Sequence, residues 1–206
     1  MSDLHLYHLP GTRSSIIYWL LKELQLDFTV HTFKNRAEVK SAENLERNPL
    51  GRVPTFSDKH GTLYESGAIL QWILRQYSGG RLQPDASDLA GQQKLLQWCW
   101  FAESDLGAYN TLINLHTAVL PEDQRVSEVV PVAKGRVADG LRVLEKTLAL
   151  QKTDFILGSQ LTAADIMIGQ AIKNAKNHGT LGAYPNLSAY SEKLMSRPAF
   201  QEAYNL

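Results

Sequence analysis

The chain has a single cysteine, Cys99, among 206 residues. One thiol cannot close an intramolecular disulfide, so a reducing compartment is the simplest setting, and a CxxC redox centre is excluded by the same count. No apolar run approaches the ~20 residues needed to cross a bilayer. An excess of one charge is also missing. With 21 acidic and 21 basic residues there is no basic field for a nucleic acid and no basic amphipathic tail for a membrane surface. The opening MSDLHLYHL carries an acid and no basic flank, so it does not read as a signal peptide. His31, His60, His116 and His178 are scattered and offer no HxxxH-type spacing, so no metal centre is expected. Internal repeats and low-complexity tracts are lacking too. A cytoplasmic protein is the expectation, long enough for one large domain or two small ones.

What is present falls into two halves. LHLYHL (4–9) is short and apolar-rich and stops at Pro10-Gly11. In SSIIYWLLKELQL, Ile16, Ile17, Leu20, Leu21 and Leu24 form one stripe at helical spacing. DFTVHTF (27–33) returns to β-branched and aromatic content, which completes a βαβ unit with parallel strands and a right-handed crossover. Residues 35–48 are polar and read as a short helix or loop. VPTF and TLYE flank the turn DKHG (58–61) and predict a hairpin. Ser66 to Tyr77 is helical, with Ile69, Leu70, Ile73, Leu74 and Tyr77 inward. One small mixed sheet covered by helices accommodates this order.

The stretch SGGRLQPDAS (78–87) reads as a linker. Beyond it nothing alternates like a strand. Helical patterns over about 87–118, 131–150, 162–178 and 186–203 predict an all-helical bundle. LTAADI (161–166) has the form of a capping box: Thr162 caps, Asp165 reaches back to the Thr162 amide, and Leu161 and Ile166 take the hydrophobic-staple positions. It explains a helix start and no chemistry.

Two places invite a functional reading. Pro54 opens a strand yet cannot donate a backbone hydrogen bond. Glu65-Ser66 stands just before the apolar run of a helix, as a turn acid and an N-cap or as ligand contacts.

NPLGRVPTF (48–56), LYESGAIL (63–70) and LTAADIMIG (161–169), each in its expected place, resemble the cytosolic glutathione transferase family. The opening YHLPGTRSSIIYWLLKEL resembles bacterial-type members, with a Ser/Thr-like rather than a Tyr-type loop, and the terminal YPNLSAYSEKLMSRPAF resembles the last helices of the same proteins. The resemblance spans essentially the whole chain. It implies a thioredoxin-like α/β domain over 1–78, a linker over 79–87 and an all-helical domain over 88–206 that carries the electrophile pocket. It also implies glutathione as co-substrate, a symmetric homodimer, and a role in detoxification.

Carried over residue by residue, the resemblance makes Pro54 a cis proline that exposes the Val53 backbone to glutathione's cysteinyl residue, in the manner of an added strand. Glu65 would accept from the γ-glutamyl ammonium, and Ser66 would hold the α-carboxylate at a helix N-terminus. Lys40 and Arg52 would meet the glycyl carboxylate or stay solvated. Arg13 would add positive potential near the thiolate or help fix the dimer.

For the thiol-activating hydroxyl, Thr12 stands first and Ser14 second, with Tyr7 as the alternative of the tyrosine-type classes. Thr12 or Ser14 could instead be a plain N-cap, and Tyr7 a packed core residue. Ile16 stands where relatives often carry arginine. In LLQWCWFAESDLGAYN (95–110), Trp100, Glu103 and Tyr109, with His116 beyond, would face the electrophile or pack in the core. Cys99 reads as a small buried hydrophobe, and Asp105 could lie near the dimer axis. The expected function is a glutathione S-transferase that activates the thiol for attack on a hydrophobic electrophile or a peroxide. The alternative is a non-catalytic glutathione-binding or structural protein of the same fold.

Overall fold

In the computed structural model, which describes residues 3–204, the first half becomes β1 (His5–His8), α1 (Ser14–Glu23), β2 (Thr29–Thr32), α2 (Arg36–Val39), α3 (Ala42–Arg47), β3 (Thr55–Asp58), β4 (Gly61–Tyr64) and α4 (Ser66–Tyr77). The sheet order is β2-β1-β3-β4. β1 and β2 are parallel, while β3 runs antiparallel to both β1 and β4. The βαβ crossover and the hairpin stand as the sequence predicts, and the thioredoxin-like α/β half followed by an all-helical half is the observed fold. Residues 35–48 resolve into two short helices because each start has a side-chain cap. Asn35 accepts from the Ala37 and Glu38 amides, and Ser41 accepts from the Asn44 amide.

Strand alternation divides β1 cleanly. Leu6 and His8 point into the core, where Ile17, Trp19, Leu20 and Leu21 of α1 and Ile69, Leu70 and Ile73 of α4 are also fully enclosed. Each such apolar side chain stabilises the fold by ~1.5–3 kcal/mol relative to exposure.

The second compact unit runs from Asp85 to Met195. It holds α5 (Leu89–Phe101), α6 (Ala108–Asn114), α7 (Val129–Gln151), α8 (Ala163–Asn177) and α9 (Pro185–Met195), with π-helical turns over Ala102–Gly107 and Leu115–Val119 that keep the chain helical from α5 through α6. α8 is its centre. The expected capping box forms at its start, and the Asp165 carboxylate accepts from the Thr162 amide (2.7 Å), the Thr162 hydroxyl (2.8 Å), the Ile156 amide (2.8 Å) and the Tyr190 hydroxyl (2.6 Å). Among the described residues no helix is long and apolar enough to cross a membrane.

Residues 196–204 belong to the first compact unit, with residues 3–84. There α10 (Pro198–Tyr204) lies on α1. Arg197 grips the Glu23 carboxylate with two donors at 2.6 and 2.7 Å, the Phe200 ring meets Trp19 edge-on at 5.0 Å, and Lys22 pairs with Glu202 at 2.7 Å.

Candidate functional site

The register of the sheet decides which loops meet. Tyr7 pairs with Thr55, and Thr55 pairs with Tyr64, both antiparallel. The end of β1, the start of β3 and the end of β4 therefore lie at one end of the sheet. The segments leaving it there are 9–13, Val53-Pro54 and Glu65-Ser66, so the topology gathers the three predicted groups at one corner. α1 and α4 both start from this corner, which favours anionic groups electrostatically.

Leu9-Pro10-Gly11-Thr12 is a type II turn. The Thr12 amide donates to the Leu9 carbonyl (3.3 Å), Pro10 supplies its fixed φ, and Gly11 sits at φ +74°, where a side chain would be strained. The turn folds Thr12 and Ser14 back onto the end of β1. Ser14 Oγ accepts from the Leu9 amide (3.1 Å) and lies 2.8 Å from both His8 Nδ1 and Thr12 Oγ1. The Thr12 hydroxyl donates to the Leu9 carbonyl at 2.7 Å. Ser14 and His8 are wholly buried, whereas Thr12 is half-buried and forms the outer end of the cluster. Burial lowers the His8 imidazole from its ordinary value to about 4, so the ring is neutral near pH 7. His8 was absent from the sequence candidates. The signal that could have found it is the alternation Leu4, Leu6, His8, which sets it on the core side of the strand.

Tyr7, one residue earlier, points to the other face of the sheet. Its ring stacks on His31 at 4.7 Å, and the Arg47 guanidinium lies 4.7 Å from its centroid. The structure does not bring Tyr7 to the Thr12–Ser14 cluster. Arg13, half-buried, is the N-cap residue of α1.

The Val53-Pro54 bond is cis, and Pro54 is buried. The Val53 backbone makes no hydrogen bond among the described residues. The loop before it is held by Asn48, a buried residue that the sequence reading passed over. Its amide nitrogen donates to the Arg52 carbonyl (3.0 Å) and Thr55 Oγ1 (3.3 Å), and its oxygen accepts from the Leu50 amide (3.1 Å). Gly51, at φ +56°, comes so close to α2 and α3 that a Cβ there would stand 3.2 Å from Leu45 and 3.5 Å from Lys40. Lys40 is thereby set beside the loop that carries Arg52, and both basic side chains are exposed.

Glu65 has φ +75° and ψ +115°, a conformation that non-glycine residues seldom adopt and that costs ~1–3 kcal/mol. It presents an exposed carboxylate directly ahead of α4, and Ser66, buried, is the first residue of that helix.

In the second unit Trp100 is half exposed, and His116 Nδ1 accepts from the Val126 amide (3.1 Å). Tyr109 and Asp105 line a shallow depression with Arg136 and Asp139. Cys99 is buried, and burial pushes its thiol up to about 12, which leaves it inert.

Residues 2–75 match the family model for the glutathione S-transferase N-terminal domain, and residues 108–204 match that for the glutathione S-transferase C-terminal domain. The chain is 29% identical over 209 residues to the glutathione S-transferase-like protein FUS3 of Gibberella moniliformis, covering 96% of this chain and 90% of that protein. It is similar to BphK, a bacterial glutathione transferase solved as a ternary complex, at TM-score 0.83 and 27% identity over 98% of each chain. It shares its fold with URE2P6 of Phanerochaete chrysosporium, solved with oxidized glutathione, at TM-score 0.85 and 24% identity over 99% of this chain and 96% of that one. With both of that family's domains in order along most of its length, the chain belongs to the glutathione S-transferase family.

Proposed function

We propose that glutathione lies across the corner where 9–13, Val53-Pro54 and Glu65-Ser66 meet, and that the Thr12 hydroxyl activates its thiol. The protein is a glutathione transferase with glutathione as its co-substrate. A thiol of pKa ~8.5 is only a few per cent ionised at neutral pH. Lowering that value by two units requires ~2.7 kcal/mol of preference for the thiolate. One hydrogen bond to a charged acceptor contributes ~1.5–3 kcal/mol, and the start of α1 adds to it. The thiol proton passes to solvent. The sulfur electron pair then forms a bond to an electrophilic carbon, whose leaving group departs with its own pair, or attacks a peroxide oxygen as the O–O bond breaks.

The rest of the tripeptide finds a partner for each charge. Glu65 takes the γ-glutamyl ammonium, and Ser66 with the start of α4 takes the α-carboxylate. The Val53 amide and carbonyl pair with the cysteinyl backbone, and Lys40 and Arg52 face the glycyl carboxylate. Arg13 raises the potential beside the sulfur, and Ser14 stands behind Thr12. The electrophile is met by the helical domain, through the stretch 95–110. The first-helix loop is of the bacterial Ser/Thr type, and the setting is cytoplasmic. A homodimer is supported by the exposed stripe Leu89, Leu96 and Trp100 along α5. Sedimentation at micromolar concentration is expected to give twice the chain mass, and a persistent monomer would exclude the dimer.

The observation that carries the reading is Glu65. Its strained backbone holds a carboxylate with no ion pair among the described residues at the corner that the unpaired Val53 backbone reaches. Glu65→Ala is expected to weaken glutathione binding by ~2 kcal/mol, about 30-fold, in calorimetry. Unchanged affinity would sink the assignment. Spectrophotometric titration of the bound thiolate is expected to show a thiol pKa one to two units higher in Thr12→Val, roughly the value of one such hydrogen bond. A shift in Ser14→Ala or Tyr7→Phe alone would move the role to that residue.

A further inference from the structure

We propose that His8 is a positioning residue of this reaction: its Nδ1–H fixes the Ser14 hydroxyl, which in turn directs the Thr12 proton at the glutathione sulfur. The inference rests on the Thr12 reading above and asks what holds that hydroxyl in the productive direction.

The 2.8 Å separation of His8 Nδ1 and Ser14 Oγ places one hydrogen between them without saying which atom carries it. The far side of the ring decides. His8 Nε2 is buried and has no hydrogen-bond partner among the described residues. A buried N–H with no acceptor is the rarer defect in proteins, so Nε2 carries the bare lone pair and the ring hydrogen sits on Nδ1. The ring is neutral, held so by burial, and has only this hydrogen.

The rest follows from valence. Ser14 Oγ accepts from His8 Nδ1–H and from the Leu9 amide, which occupies both its lone pairs. Its own hydrogen must go outward, to Thr12 Oγ1 at 2.8 Å or to the Leu9 carbonyl at 3.1 Å. The shorter contact sends it to Thr12. Thr12 then receives from Ser14 and keeps one hydrogen to give, at present to the Leu9 carbonyl. That carbonyl also receives the Thr12 amide, so it keeps a donor when the hydroxyl swings to a thiolate. Three donors in line, imidazole to serine to threonine to sulfur, polarise one another in the same sense. The opposite tautomer reverses the line. Ser14 would donate inward to His8 and Thr12 would donate to Ser14, and turning that hydrogen to the sulfur would leave two oxygen lone pairs opposed across 2.8 Å.

Two measurements test this. Long-range 1H–15N correlation on the unmodified protein distinguishes the ring tautomers, and the Nδ1–H form is expected. An Nε2–H form would overturn the proposal without any variant having to fold. The second is the bound glutathione thiol pKa in His8→Leu and His8→Asn, where the Asn amide can replace the Nδ1–H donor. His8→Leu is expected to raise the thiol pKa by roughly half a unit to one unit and to lower kcat at fixed pH about three- to ten-fold with KM for glutathione unchanged, while His8→Asn stays near the wild-type value. An unchanged thiol pKa in His8→Leu, beside a shift in Thr12→Val, removes His8 and leaves Thr12 standing. No shift in Thr12→Val removes the Thr12 reading, and this inference with it.

Discussion

At the start of α8, four donors converge on one carboxylate, and every group they come from lies within the second unit's core. At the start of α1 the polar groups are as densely packed, yet the cluster is left open. His8 Nε2 and Ser15 Oγ are buried without partners among the described residues, and the Thr12 hydroxyl stands half exposed at the rim. Both helix starts carry a Thr followed three residues on by Ser or Asp, Thr12 with Ser15 and Thr162 with Asp165, and a motif reader would treat them alike. The difference lies in where the last hydrogen bond goes. The Asp165 cluster is complete within the protein and fixes a fold. The His8–Ser14–Thr12 cluster ends on a half-buried hydroxyl, where the proposed thiol activation would take place.

The contrast can be broken most forcefully at Asp165. Asp165→Ala leaves four donors, two of them backbone amides, without their acceptor, and is expected to cost about 4 kcal/mol. Thermal unfolding should fall by roughly 10 °C. A loss below ~1 kcal/mol would deny the cluster its structural weight. At temperatures where the variant is folded, the bound thiol pKa should match the wild type.

A smaller effect is expected from acid. The folded-state pKa of His8, about 4, lies below its ordinary 6.5, so between these values the unfolded chain binds a proton that the folded one refuses. Stability from this group is complete above pH 6.5 and declines as pH falls to about 4, by about 3 kcal/mol in all. Urea unfolding of wild type and His8→Asn across that window should show a steeper decline in the former, because His31 and His178, both held below the ordinary value by burial, contribute equally to both. Parallel profiles would mean that His8 is not buried as described.

The mildest case is Ser14→Ala. It removes the acceptor of the Leu9 amide and the link between His8 and Thr12, at a cost of about 1 to 2 kcal/mol. Its thiol pKa should rise less than that of Thr12→Val, because Thr12 keeps its own hydrogen. An effect larger than that of Thr12→Val would make Ser14 the direct donor.

Much of this was legible in the sequence. The stripe of α1, the hairpin around DKHG and the start of α4 at Ser66 were readable because period and turn chemistry are local. Val53-Pro54 and Glu65-Ser66 were readable through their resemblance to a family, and strand register then explains why such distant pairs meet. His8 was not legible as a partner of Ser14, since only the type II turn brings them together. Asn48 was hidden in the same way, because its partners are the backbone of a loop with no pattern of its own. Trp19 and Phe200 are almost a chain length apart, and no periodicity announces that pairing.

The return of residues 197–204 to α1 sets the order in which a nascent chain can mature. Trp19 is fully covered in the finished protein, with Phe200 against its edge, and Glu23 is held by Arg197. A ribosome that has released the sheet and α4 has still to make the whole helical unit before these covers exist, a delay on the order of ten seconds. Through that interval the outer side of α1 is a bare aromatic surface, the kind that holdase chaperones grip. A fragment ending at Pro84 would keep that surface for good, and is expected to stay in solution only when a peptide spanning 196–204 is supplied beside it.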